Sequence, residues 1–141
     1  MATLQVVRRI LLAILVVGLT GTAVELLLLK HDEGLIQLVP LVAIGLALAA
    51  LAWHFSRASR ASLLAVQVAM VLFLAAGVAG IFFHVKANLE YQQEFDPALH
   101  GRALIWQALQ SKVPPALAPG VLLQFALIGL AYTYRQRGEL T

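Results

Sequence analysis

Four apolar runs, separated by polar intervals, set the pattern of the chain: residues 7–29, 35–55, 62–84 and 117–134. Each approaches the roughly 20 residues that a helix needs to cross a bilayer. The intervals 30–34 and 56–61 are tight, which makes consecutive helices antiparallel neighbours. The expected fold is an all-α integral membrane protein, an antiparallel four-transmembrane-helix bundle forming a single membrane domain over residues 1–141.

The third connection, the outer segment 85–116, is long. Residues 85–94 stay compatible with a helix, so the third helix should run on beyond the membrane. Asp96 followed by Pro97 then reads as the N-cap and first position of a new helix. Within 97–111, Leu99, Ala103, Trp106 and Gln110 share a face, with Leu104, Ile105, Ala108 and Leu109 beside them. This stretch is too short to span. It is expected to form a short interfacial helix between spans three and four, with Trp106 at headgroup depth. Pro114, Pro115, Pro119 and Gly120 redirect the chain into the fourth run, where proline at a first-turn position removes no intrahelical bond.

Composition strengthens the membrane assignment. The 141 residues are 61% hydrophobic and 12% charged, with a mean hydropathy of +0.87. A soluble domain of this length could not bury so much apolar surface. Cysteine is absent, which excludes disulfides, thiolate metal sites and iron–sulfur clusters. The net charge of +3 does not point to nucleic acid, because the basic residues flank apolar runs instead of forming a continuous stretch.

Those residues orient the chain. Arg8, Arg9, Arg57, Arg60, Arg135 and Arg137 fall on one side. Lys30, Lys86, Arg102 and Lys112 fall on the other, with Asp32, Glu33, Glu90, Glu94 and Asp96. The positive-inside rule then places both termini in the cytoplasm, and a bacterial inner membrane is the expected location. Arg8, Arg9 and the small residues Gly21, Thr22 and Ala23 imitate a signal peptide. Leu26, Leu27, Leu28 and Leu29 prolong the run beyond a usual signal core, so an uncleaved first span is expected.

The candidate chemistry lies near the outer face. Glu25 and His84 are ionisable residues within apolar runs, a placement that usually marks a partner or a function. With a rise of about 1.5 Å per residue, Glu25, Gln37, His84 and Gln124 can share one depth, with Asn88 a turn beyond His84. Gly18, Gly21, Thr22 and Glu25 form a small and polar stripe, and Gly77, Gly80, His84 and Asn88 form another. Both should be helix interfaces. The five polar residues of this layer are therefore candidates for ligand binding or for helix coupling.

For a divalent metal, the preferred ligands are Glu25, His31 and His84, although no His pair at four-residue spacing and no Glu-x-x-His sequence supports them. Haem is not favoured, because His54 and His84 fall at opposite ends of the bundle. His54, beside Trp53, reads as an interfacial anchor. Ser56, Ser59 and Ser62 have no evident base.

The leading functional expectation is a small, non-catalytic inner-membrane accessory or binding protein with a polar site near its outer face. It would work in the lipid bilayer as a homo-oligomer or beside a partner membrane subunit, without nucleic acid. Two alternatives stand beside it: a metal- or ligand-handling protein using Glu25 and His84, and a membrane enzyme with Glu/His acid–base chemistry.

Overall fold

A computed structural model describes residues 2–30 and 34–136 of the chain. The described residues form five helices and no strand: α1 (Ala2–Leu28), α2 (Leu35–Ser56), α3 (Arg60–Phe95), α4 (Gly101–Leu109) and α5 (Gly120–Thr133). Three of them, α1, α2 and α3, are long and apolar enough to cross a membrane. At 1.5 Å per residue α3 is about 54 Å long, well beyond a hydrocarbon core of about 30 Å. The fourth apolar run is helical over only 14 residues, about 21 Å.

The chain divides into two compact units, Met1–Leu74 with Gln124–Thr141, and Ala75–Leu123. The first is held by stripes at helical spacing. Leu15 and Leu19 of α1, Ile44, Ala47 and Leu51 of α2, and Leu63, Val66, Met70 and Phe73 of α3 are all buried. Two glycines permit the close approach of α5. Gly18 lies against the Phe125 ring, and a Cβ added at Gly129 would fall 2.6 Å from Met70 Cγ. Gly21, on the same stripe as Gly18, faces open space.

In the second unit, one face of α3 meets the chain that returns after α4. Gly77 lies against Leu123 and Gly80 against Pro119. The same face continues through His84 and Asn88. Leu104, Ala108, Ala116 and Leu122 supply the apolar burial.

The polar start that the sequence suggests at Asp96 and Pro97 is a turn instead. Proline disfavours helical backbone in the residue before it, which stops α3. The Asp96 carboxylate accepts the Ala98 N–H at 3.1 Å, and its carbonyl accepts the Leu99 N–H at 3.0 Å. The next helix begins at Gly101, whose φ of +61° is a conformation glycine adopts freely.

Gly77→Ala would place a Cβ 2.9 Å from Leu123 Cγ and 3.2 Å from the Leu123 backbone nitrogen. Overpacking of this kind costs about 1–3 kcal/mol. Gly21→Ala meets nothing and should gain up to about 1 kcal/mol from helix propensity. Unfolding in mixed detergent micelles should therefore separate the two variants in opposite directions from wild type; equal stabilities would refute the packing described for α3.

Candidate functional site

The polar face of α3 serves the segment between α4 and α5. Three of the nine residues from Ser111 to Pro119 are prolines, which have no N–H to donate, so local carbonyls lack the donors that a helix would provide. Two side chains of α3 take that place. Asn88 is 1% exposed, and its Nδ2 donates to Ala108 O at 3.2 Å and Pro114 O at 3.0 Å. His84 Nδ1 lies 2.9 Å from Pro115 O. A carbonyl can only accept, so that nitrogen carries a proton. Turn bonds complete the segment: Ala118 N–H donates to Pro115 O, and Gly120 N–H to Leu117 O.

The remaining residues of the expected polar layer belong to the first unit. Glu25 on α1, Gln37 on α2 and Gln124 on α5 are exposed. Glu25 belongs to the first unit and His84 to the second. His31 lies outside the described residues. Among the described residues no three His, Cys, Asp or Glu side chains converge as a metal site. On α4 the buried stripe is Leu104 and Ala108, whereas Trp106 is 63% exposed. Helix α4 thus presents its tryptophan outward and packs through Leu104 and Ala108.

A second polar cluster forms where the start of α1, the end of α2, the start of α3 and the end of α5 meet. His54 is not an exposed anchor there: it is 5% exposed and both ring nitrogens have partners. Gln136 Nε2 donates to the Tyr132 carbonyl, which turns the amide oxygen toward the imidazole. An amide oxygen accepts only, so His54 Nε2 donates to Gln136 Oε1 at 3.0 Å. In the neutral ring, Nδ1 then accepts the Ser62 hydroxyl at 2.9 Å. Tyr132 meets the His54 ring edge-on, with centroids 6.3 Å apart.

Ser62 also caps α3. The Ser59 N–H donates to Ser62 Oγ at 3.0 Å, and the Ser62 N–H donates to Ser59 Oγ at 3.1 Å. This is a reciprocal capping box with serine at both positions. A Ser–His pair at 2.9 Å has the spacing of an activated nucleophile. Ser62 has no exposed surface, so a substrate carbonyl cannot reach its oxygen. The pair fastens helix ends.

Sequence spacing carried part of this cluster. His54 continues the buried stripe of Ile44, Ala47 and Leu51 at intervals of three and four, and Ser59 and Ser62 have capping-box spacing. Gln136 is 82 positions from His54, and no local pattern joins them.

Asn88→Leu keeps the side chain's approximate size but removes both donors. Pro114 O then loses the Asn88 donor while Ala108 O keeps the Ser111 N–H at 3.3 Å, and an unmade bond of this kind costs about 1–3 kcal/mol. Hydrogen exchange should accelerate over 108–118 while α1 and α2 keep wild-type protection; unchanged exchange in that segment would refute the role given to Asn88.

No known protein family, curated protein or solved structure matches the chain.

Proposed function

We propose that the chain is a four-span protein of the bacterial inner membrane, with both termini in the cytoplasm, acting as a non-catalytic accessory or binding subunit. The fourth crossing combines α5 with the turn segment before it. Helix α5 supplies about 21 Å, and the irregular residues before Gly120 extend it toward the far interface. Irregular backbone at membrane depth is tolerated when protein groups satisfy its polar atoms. The observation that carries the reading is the donation from Asn88 and His84 to the carbonyls of Ala108, Pro114 and Pro115.

Those bonds favour a fixed platform over an acid–base centre, because the two polar side chains face backbone carbonyls. The platform presents Trp106, Ile105, Leu109 and Val113, all exposed, toward the outer interface. Glu25, exposed near the same end of the sequence-derived topology, would lie beside a partner membrane subunit, since an intramembrane carboxylate facing lipid is costly. A partner docking on the outer platform is the role these features support best.

The cysteine-free chain allows a clean test of topology. In intact spheroplasts an impermeant maleimide should label Gln110→Cys, whereas Ala58→Cys and Arg135→Cys should react only after permeabilisation. Labelling of Arg135→Cys from outside would remove the fourth span.

Docking has its own readout. A photocrosslinking side chain substituted at Trp106 should give one discrete protein adduct in native membranes, and the same side chain at Leu64 should not. Lipid adducts alone at Trp106 would overturn the accessory assignment while leaving the topology intact.

A further inference from the structure

A cavity of about 400 Å³ opens beside the His54 cluster, in the first unit. Its volume falls within the range of about 300–1,000 Å³ typical of small-molecule sites. Arg8 and Arg9 line it from α1, together with Gln5, and Tyr132 and Gln136 line it from the end of α5. The Arg8 guanidinium is held in direction by donation from Nη2 to Tyr134 O at 3.0 Å. Arg9 is exposed. Leu12 and Phe55 form an apolar part of the wall.

We infer that this cavity binds a phosphate group, presented by an anionic phospholipid or as free phosphate. Two guanidinium groups offer planar, charged donors suited to phosphate oxygens. Tyr132 and Gln5 provide neutral donors beside them. The cavity lies at the basic end of the apolar helices, where phospholipid phosphates gather at a membrane surface. Leu12 and Phe55 give the glycerol and upper acyl carbons an apolar contact that a free phosphate would not use. The His54 network supports the site by fixing the ends of α2 and α5 that carry Phe55 and Gln136. This inference concerns the first unit and does not depend on the proposed docking platform.

The test uses the full chain in nanodiscs of phosphatidylcholine containing a minority of phosphatidylglycerol. Native mass spectrometry then counts the phosphatidylglycerol retained after release. Wild type should retain it preferentially, and Arg8→Gln and Arg9→Gln should each lower retention about tenfold or more, as loss of a charge-assisted hydrogen bond does. Arg60→Gln, which removes a charge that does not line the cavity, should lower it by no more than the roughly fivefold of any basic residue near an anionic surface. Because Arg9 is exposed, a loss in Arg9→Gln with unchanged helicity reports binding and not unfolding.

A parallel titration with inorganic phosphate, in detergent without anionic lipid, distinguishes the source. Saturable binding lost in Arg9→Gln would assign the site to free phosphate, and retention of phosphatidylglycerol without such binding would assign it to the lipid. No arginine dependence in either arm, or an equal loss in Arg60→Gln, would overturn the inference.

Discussion

The carbonyl oxygens of Ala108, Pro114 and Pro115 accept from Asn88 and His84 of α3, which for Ala108 and Pro115 add to backbone turn donors. A proline-rich segment has too few N–H groups to satisfy its own acceptors, so the second unit depends on polar side chains placed opposite it. Gly77 and Gly80 permit that placement by letting the returning chain approach α3 at Leu123 and Pro119. Close apolar approach and polar satisfaction therefore occupy one continuous helical face. Without the glycines the donors would be held away from the carbonyls, and without Asn88 the Pro114 carbonyl would lose its donor.

The same physical demand recurs at the other polar cluster, with a different solution. Helix termini leave backbone groups without intrahelical partners. Ser59 and Ser62 satisfy some of them reciprocally at the start of α3, and His54 ties that cap to Gln136 beyond the end of α5. In both places, polar side chains on apolar helices face partners at hydrogen-bond distance. This is why the proposed reading favours an accessory protein: the histidines best placed for chemistry are engaged in holding backbone and helix ends.

The two clusters leave different surfaces beside them. Around α4 the neighbouring surface is apolar and aromatic, suited to a partner or an interface. Beside His54 it is concave and basic, suited to an anion. Each of these surfaces adjoins a hydrogen-bonded cluster of its own unit.

The sequence by itself determined the helical content, the lengths of the first three apolar helices, the extension of the third past residue 84 and the small-residue face that leads to His84 and Asn88. These follow from local composition and helical period, which act between residues a few positions apart. It misread Asp96 and Pro97, because proline's restriction on its predecessor outweighed the capping preference, and it left His54 as an anchor although its spacing continued a buried stripe. Only the tertiary structure decided that Asn88 serves carbonyls 20 and 26 positions away, and that Gln136 completes the His54 pair. Such partners are chosen by packing across the chain, where sequence separation carries no information about distance.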